Sequence, residues 1–356
     1  MAHDEPVLTA RAGRTAHLVL NRPRALNALT HPMVRTIDEA LAAWEGDADI
    51  TAVVISGAGE RGLCAGGDIR VIHEDTRTGA GASPAFWRDE YRLNVRIARY
   101  PKPYVALMDG IVMGGGVGVS AHGSVRIVTE RSVVAMPETA IGLVPDVGGT
   151  YLLSRAPGEL GTHLALTGHT IGAADALLCG LADHFVPSGR LDDLRAALAG
   201  PEVREAADVR EIVRRYGTTA PEGRLDADRE WIDACYAAGS VEEIIDRLCG
   251  SGEPAAKDAA ETLLSRSPTA LKATLVAVRR ARRTATLEQV IDQEYRASCA
   301  ALTFPDLQEG IRAQVIDKDR RPRWSPGELS EVTDADVARF SAPPPGGDLG
   351  LAARPL

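Results

Sequence analysis

Two acidic residues in the middle of the sequence, Glu138 and Asp146, have the setting in which carboxyl groups do chemistry. They lie eight positions apart in a largely apolar stretch, and a proline directly precedes each of them. Carboxyl groups in apolar surroundings often have altered proton affinity, so they can act as an acid, a base or a nucleophile. The alternative is a pair of loop carboxylates that face water.

Two glycine-rich segments could stabilise a developing negative charge. Residues 63–69 have the sequence Leu-Cys-Ala-Gly-Gly-Asp-Ile, and residues 113–119 have the sequence Met-Gly-Gly-Gly-Val-Gly-Val. Paired glycines leave a backbone N–H unobstructed, and the second segment opens a helical pattern, where the first N–H groups lack partners. This segment lacks the ending of a P-loop and the spacing of a dinucleotide-binding motif. Taken singly, a tight turn explains the first segment equally well, and close helix packing explains the second.

Together the two carboxylates and the two glycine segments indicate one kind of chemistry. Two loop glycines can direct two N–H groups at one point, which forms an oxyanion hole for an enolate or a tetrahedral oxyanion derived from a thioester carbonyl. A nearby carboxylate then supplies the base or the nucleophile. The histidines show no spacing typical of zinc sites, and the chemistry requires neither a metal ion nor a redox cofactor.

The elements that position these groups alternate in type through roughly the first 150 residues, as strand and helix do in a layered α/β core. The predicted strands are residues 15–20, 51–56, 103–108, 124–130 and 132–136. The predicted helices are residues 31–44, 191–199, 241–248, 255–265, 269–282 and 287–302, the first with Thr30 as N-cap. From about residue 155 the pattern is mostly helical, which predicts an α/β class with a helical C-terminal region.

Composition and charge argue against other classes of protein. The net charge of −9 makes nucleic acid a poor partner, and no apolar run approaches the ~18 residues that a membrane helix needs. The five cysteines include no C-x-x-C pair, and the N-terminus has neither the basic nor the apolar region of a signal peptide. These features predict a cytoplasmic protein with free thiols.

Several longer strings carry a resemblance to a known family. The two glycine segments, together with Asn-Arg-Pro at residues 21–23 and Leu-Asn-Ala-Leu at 26–29, resemble the crotonase (enoyl-CoA hydratase/isomerase) superfamily. The resemblance covers about residues 7–325. A finer similarity to the 3-hydroxyisobutyryl-CoA hydrolase subgroup is carried by residues 89–94, 102–107, 136–149, 294–296, 309–313 and 316–319.

The resemblance implies a fold, an activity and a division of the chain. The fold would be a crotonase-like spiral of ββα units over residues 1–250, with a helical C-terminal region at 251–330 packed on it. The Pro/Gly-rich tail at 331–356 is expected to be mobile. The implied activity is hydrolysis of a short-chain 3-hydroxyacyl-CoA thioester, foremost 3-hydroxyisobutyryl-CoA, in valine catabolism, with coenzyme A as part of the substrate and no further cofactor.

The resemblance also implies a role for individual residues. Gly67 and Gly115 would supply the oxyanion N–H groups, and Glu138 and Asp146 would be catalytic. Residues implied to contact the acyl part of the substrate are Glu90, Gly115, Glu138 and Asp146, with Glu90 near the substrate hydroxyl. The residues implied to run along the adenine end of CoA are Ala65, Asp68 and Ile69.

One departure from the wider family separates the alternatives. Hydratases place a second glutamate three residues after the middle glycine of the Gly-Gly-Gly segment, where this chain has Gly118. Glycine can neither activate water nor deliver a proton, which disfavours hydration. An enoyl-CoA hydratase or isomerase, and a non-catalytic acyl-CoA-binding protein of the same fold, remain alternatives. A homo-oligomer also stays open, because relatives often form trimers, whereas a longer C-terminus could cover that surface.

Overall fold

The apolar runs of the sequence form strands, and the amphipathic runs form helices, in a computed structural model that describes residues 5–351. The strands are β1 (Val7–Ala12), β2 (Thr15–Leu20), β3 (Ala52–Gly57), β4 (Gly62–Cys64), β5 (Tyr104–Met108), β6 (Ile111–Met113), β7 (Val125–Val128), β8 (Val133–Ala135) and β9 (His184–Phe185). The helices of the first half are α1 (His31–Glu45), α2 (Ile69–Thr78), α3 (Ala82–Ala98), α4 (Gly115–Gly118), α5 (Gly149–Leu153), α6 (Leu160–Thr167) and α7 (Ala173–Leu178).

The second half is helical. Its helices are α8 (Leu191–Leu198), α9 (Ala206–Tyr216), α10 (Leu225–Tyr236), α11 (Val241–Gly250), α12 (Pro254–Leu264), α13 (Pro268–Arg283), α14 (Leu287–Ala301), α15 (Pro305–Ile311) and α16 (Asp334–Arg339). Contacts group the described residues into two units. We call residues 5–67, 92–135 and 171–223 the sheet unit, and residues 68–91, 136–170 and 224–351 the helical unit.

The sheet unit contains two sheets. The larger has the strand order β1-β2-β3-β5-β7-β9, with β1 antiparallel to β2 and the remaining neighbours parallel. The smaller has the order β4-β6-β8, all parallel. From β3 to β8 the chain alternates between the two sheets, which is the predicted spiral of ββα units. All five residues of β5 are buried, as expected for a parallel strand covered on both faces.

Helices α8 and α9 cover one face of the larger sheet. Their Leu194 and Ile212 belong to the same buried cluster as Val54 of β3 and Leu107 of β5. Both helices repeat apolar residues every three or four positions, so each buries one face and leaves the other to solvent.

The helical unit is built around α13 and α14, which are among its most buried helices. Buried positions on α13 include Leu271, Leu275 and Val278, spaced three or four residues apart. On α14 the same spacing places an apolar residue, Ile291, and two polar residues, Glu294 and Ser298, on one face of the helix. All three are buried. Polar side chains on the buried face of an amphipathic helix mark a structural or chemical task.

The predicted elements agree with the structure. Each strand and helix predicted from the sequence is confirmed to within two residues at either end. Thr30 is the N-cap of α1, but its side chain accepts no capping hydrogen bond. No helix within residues 5–351 is long and apolar enough to cross a membrane. The division at residues 250 and 330 and the mobility of the tail stay predictions, and residues 352–356 lie outside the described part.

Candidate active site

The two glycine segments follow neighbouring strands of the small sheet. β4 leads into Gly66 and Gly67, and β6 leads into Gly114 and Gly115. Because β4 and β6 are parallel neighbours, both segments leave the sheet at the same edge. A Cβ added to Gly66, whose φ is +114°, would lie only 3.8 Å from the backbone nitrogen of Gly115. The sheet unit therefore brings the two segments together.

An oxyanion hole requires backbone N–H groups that do not already donate a hydrogen bond, and this is the case for Gly67 and Gly115 within the described residues. Gly115 is the first residue of α4, where a helix leaves its N–H groups unpaired. The next residue, Gly116, admits no side chain, because a Cβ there would lie 2.3 Å from the carbonyl oxygen of Cys64. Glycine thus allows α4 to begin close against β4.

The three residues implied to contact CoA lie on the partly exposed segment that follows β4. The amide of Ala65 donates a 3.0 Å hydrogen bond to the carbonyl oxygen of Leu26. Asp68 is the N-cap of α2, and Ile69 is the first residue of that helix. Their contact with CoA stays a prediction.

Glu138 begins a short 3₁₀ helix, Glu138–Ile141, in the helical unit. Two close backbone approaches to α15 hold this helix: a Cβ on Gly142 would lie 2.6 Å from backbone atoms of Asp306, and a Cβ on Gly310 would lie 2.5 Å from those of Ile141. The Glu138 side chain is buried, and its Oε2 has no hydrogen-bond partner within residues 5–351. A buried carboxyl oxygen without a partner is unusual, and it points to an interaction with a bound molecule.

Asp146 lies in the turn that precedes α5. The next two residues have left-handed backbone conformations, with φ of +53° at Val147 and +79° at Gly148. The Asp146 carboxyl is buried and accepts a 2.7 Å hydrogen bond from the hydroxyl of Tyr91 on α3. The turn itself is held by Glu294 of α14, which accepts hydrogen bonds from the backbone amides of Gly148 and Thr150.

Four buried carboxyl groups of the helical unit influence one another's protonation. Burial raises the pKa of Asp146 to about 6, and the Tyr91 hydrogen bond opposes this. Burial and, next, the charge of Asp146 raise the pKa of Glu138 well above its ordinary value, and the same two causes act on Glu90. Burial raises the pKa of Glu294 to about 8. Within the described residues none of the four forms an ion pair with a cationic side chain.

This arrangement links the protonation of two buried carboxyl groups. Because the charge of Asp146 raises the pKa of Glu138, ionisation of one group disfavours ionisation of the other. One group can then accept a proton while the other donates one. The alternative of loop carboxylates facing water is wrong, since both side chains are only 6% exposed.

The structure links three of the predicted site residues and shows two further residues that interact with them. Glu90, Glu138 and Asp146 form one electrostatically linked group in the helical unit. Sequence reasoning gave no role to Tyr91 or Glu294, although both stand in the strings that carry the resemblance. The available signal was their position on buried helix faces. Within residues 5–351 no group of three or more His, Cys, Asp or Glu could hold a metal ion.

Comparisons with known proteins show the family of this chain. The family described as enoyl-CoA hydratase/isomerase matches residues 15–341. The chain is 44% identical over 339 residues to a protein named 3-hydroxyisobutyryl-CoA hydrolase, mitochondrial, from Danio rerio, covering 93% of this chain and 88% of the relative. The human protein of the same name is 42% identical over 341 residues, covering 94% and 87%.

Two solved structures share the fold closely. A carnitinyl-CoA dehydratase from Mycobacterium thermoresistibile has 50% identity and a TM-score of 0.92, covering 97% of this chain and 98% of that one. An enoyl-CoA hydratase from Rhodobacter sphaeroides 2.4.1 has 46% identity and a TM-score of 0.88, covering 96% and 98%. The chain therefore belongs to the enoyl-CoA hydratase/isomerase family, the crotonase superfamily, and has its fold. Within that superfamily it falls in the 3-hydroxyisobutyryl-CoA hydrolase subgroup.

Proposed function

We propose that the chain hydrolyses the thioester of a short-chain 3-hydroxyacyl-CoA, with 3-hydroxyisobutyryl-CoA as its main substrate, a step of valine breakdown. The reaction consumes one water molecule, whose oxygen enters the new carboxyl group. The carbon–sulfur bond breaks, and the sulfur leaves as the free thiol of CoA. The curated relatives, at 42–44% identity over more than nine-tenths of the chain, are named for this reaction.

The observation that carries the proposal is the pair of buried carboxyl groups of Glu138 and Asp146, whose charges act on each other. Hydrolysis of a thioester needs one group to attack the carbonyl carbon or to activate water, and it benefits from a second group that orients the first. We assign the first task to Glu138, whose Oε2 has no partner within the described residues. We assign to Asp146 the orientation of Glu138 and of water, a task that suits a carboxyl group ionised above about pH 6. The water molecule supplies the proton that the leaving sulfur takes up.

The remaining roles complete the proposed mechanism. The N–H groups of Gly67 and Gly115 would donate hydrogen bonds to the thioester oxygen and stabilise the negative charge that develops on it. Donors placed in this way typically contribute ~10²–10³-fold each to the rate. Neither a metal ion nor a redox cofactor takes part in the proposed reaction, because no electron is transferred and the amides take the place of a Lewis acid.

Glu90 would select for the substrate hydroxyl. Its side chain is buried, and its Oε1 has no hydrogen-bond partner within residues 5–351. A buried acceptor without a partner favours a ligand that brings a donor, and it disfavours a ligand that leaves the acceptor unpaired. We therefore expect the 3-hydroxy compound to be preferred over the acyl-CoA that lacks the hydroxyl.

A second candidate is hydration of an enoyl-CoA, or the reverse reaction. The names of the two similar solved structures, a dehydratase and a hydratase, favour it. Against it stands Gly118, which lies buried within α4 where hydratases of the family have a glutamate. Asp146 would have to replace that glutamate. A non-catalytic acyl-CoA-binding protein is disfavoured, because such a protein has no need to bury two linked carboxyl groups.

Location, assembly and partners other than the substrate stay predictions. The curated relatives carry the word mitochondrial in their names, which describes those proteins, so a cytoplasmic location is not supported by them. Formation of a homo-oligomer and the lack of affinity for nucleic acid likewise rest on the sequence and the resemblance.

The proposal is tested by assaying the purified protein with two substrates in separate reactions. With 3-hydroxyisobutyryl-CoA, release of free thiol is followed with a colorimetric thiol reagent; with crotonyl-CoA, loss of the double bond is followed by absorbance. The proposal predicts rapid thiol release and no loss of the double bond. Loss of the double bond without thiol release would move the chain to the hydratases, and neither reaction over an acyl-CoA panel would favour a binding protein.

A further inference from the structure

The buried carboxyl group of Glu294 holds the turn that carries Asp146. Its Oε2 accepts a 2.6 Å hydrogen bond from the amide of Gly148. Its Oε1 accepts bonds of 2.9 Å from the amide of Thr150 and 2.5 Å from the hydroxyl of the same residue. Glu294 lies on the fifteen-residue helix α14, so three bonds fix a short turn to a long, buried helix.

The turn needs external support. Val147 and Gly148 follow Asp146 directly, and both have positive φ, +53° and +79°. A β-branched residue seldom adopts the left-handed conformation unless surrounding contacts impose it. The first contact with Glu294 is made by Gly148, the residue after Val147, so these hydrogen bonds are in a position to impose the left-handed conformation on Val147.

Burial of the Glu294 carboxyl group is energetically unfavourable unless the group makes compensating contacts. Glu294 is only 2% exposed and has no cationic partner within the described residues, and burial raises its pKa to about 8. An apolar side chain of similar volume would remove the unfavourable burial of a polar group. The compensating contacts are the hydrogen bonds from the Gly148 amide, the Thr150 amide and the Thr150 hydroxyl.

We infer that Glu294 is a positioning residue, which acts on the reaction by fixing the turn of residues 146–150 and, through it, the carboxyl group of Asp146. The inference rests on the proposed function in one respect, because it takes Asp146 to act in hydrolysis. Displacing the turn would move Asp146 relative to the Tyr91 hydroxyl and to Glu138. Misplacement of a catalytic group by about 1 Å can reduce a rate ~10²-fold.

The substitution Glu294→Gln tests the contact with little change in volume. Each carboxyl oxygen of Glu294 accepts from a backbone amide, one from Gly148 and the other from Thr150. A glutamine has only one accepting oxygen, so its amide nitrogen must face one of these N–H groups, and that bond is lost. Thr150→Val is a milder variant that removes only the hydroxyl donor.

Asp292→Asn is the matched control. Asp292 lies on the same helix, is also buried, and is only two residues from Glu294. Its carboxyl accepts from the amide of Leu351, whereas the amides of Gly148 and Thr150 donate to Glu294. A general weakening of α14 would affect this variant as well, whereas a loss specific to the turn would not.

We expect Glu294→Gln to lower kcat for thiol release by about 10- to 100-fold with KM changed by less than about threefold, because substrate binding is retained. Asp292→Asn should keep kcat within about twofold. In an Asp146→Asn background, Glu294→Gln should add less than about a twofold further loss, because a residue that acts through Asp146 has nothing left to position.

A readout that does not depend on catalysis separates this inference from the proposed function. Hydrogen exchange of the Gly148 and Thr150 amides should be faster in Glu294→Gln than in the unmodified protein, and unchanged in Asp292→Asn. If the unmodified protein releases no thiol, the proposed function fails while the exchange result still decides whether Glu294 holds the turn. Unchanged exchange, unchanged kcat, or a full additional loss on top of Asp146→Asn would each overturn the inference.

Discussion

The hydroxyl group of Tyr91 donates a 2.7 Å hydrogen bond to Oδ2 of Asp146. The same hydroxyl lies 2.6 Å from Oγ of Ser298, and since its proton is directed to Asp146, Ser298 must be the donor in that contact. Burial and the charge of Asp146 raise the pKa of Tyr91 well above its ordinary value. Tyr91 therefore stays a neutral donor over the working pH range and favours the ionised form of Asp146.

Removal of this donor should move the pH dependence of the reaction. The hydrogen bond lowers the pKa of Asp146, so in Tyr91→Phe that pKa rises. We expect the acidic limb of the plot of kcat/KM against pH to move to higher pH, with a larger loss at pH 6 than at pH 8. Tyr295→Phe is the control, because the Tyr295 hydroxyl contacts Arg88 and not Asp146. An acidic limb that does not move would show that Asp146 does not govern it.

Asp146 should make the folded protein less stable as the pH rises. Its pKa is 3.8 in an unfolded chain and about 6 when folded, so between these values the folded state binds more protons. Stability from this group is fully present below about pH 4 and is lost as the pH rises through 6. We expect Asp146→Asn to be more stable than the unmodified protein at pH 8, by on the order of 1–3 kcal/mol in urea unfolding, and the gap to narrow at pH 5. A gap that widens on acidification would contradict this account.

Glu90 should determine the preference for the hydroxylated substrate. In Glu90→Met the unpartnered carboxyl oxygen is removed, so the substrate hydroxyl loses the acceptor that we assign to it. We expect kcat/KM for 3-hydroxyisobutyryl-CoA to fall about 10-fold or more, and that for isobutyryl-CoA to change by less than about threefold. Equal losses with both substrates would mean that Glu90 does not contact the hydroxyl group.

The amide of Gly67 should contribute directly to the rate. Gly67→Pro removes the N–H group, whereas Gly67→Ala keeps it, and no hydrogen bond within residues 5–351 is lost in either variant. We expect a fall in kcat of about 10²–10³-fold for the proline variant relative to the alanine variant. Circular dichroism and thermal unfolding verify that both variants fold. Equal kcat values in two folded variants would exclude this amide from the oxyanion hole.

The fold was largely predictable because its signals are local. The buried strand β3 and the amphipathic helix α1 are recognisable from periodicities that span only six and fifteen residues. The apolar residues around Glu138 and Asp146 favoured their burial, but the sequence left open a pair of loop carboxylates that face water. The structure decides for burial and shows that the charge of Asp146 acts on Glu138.

The support of the site was not predictable from the sequence in the same way. Tyr91 is 55 residues from Asp146 and 207 from Ser298, and Glu294 is 146 residues from Gly148. Such contacts depend on tertiary packing, which no local pattern specifies. Glu90 entered only through the resemblance, since a single glutamate on an amphipathic helix gives no signal of its own.

The most direct test of the account replaces Glu138 by glutamine and measures free thiol release from 3-hydroxyisobutyryl-CoA. Glutamine preserves the shape of the side chain but can neither attack a carbonyl carbon as a carboxylate nor accept a proton from water. The account predicts rapid release by the unmodified protein and a loss of at least about 10³-fold in the variant, with folding unchanged. Thiol release by a folded Glu138→Gln variant at the rate of the unmodified protein would contradict the assignment of Glu138 as the group that carries the reaction.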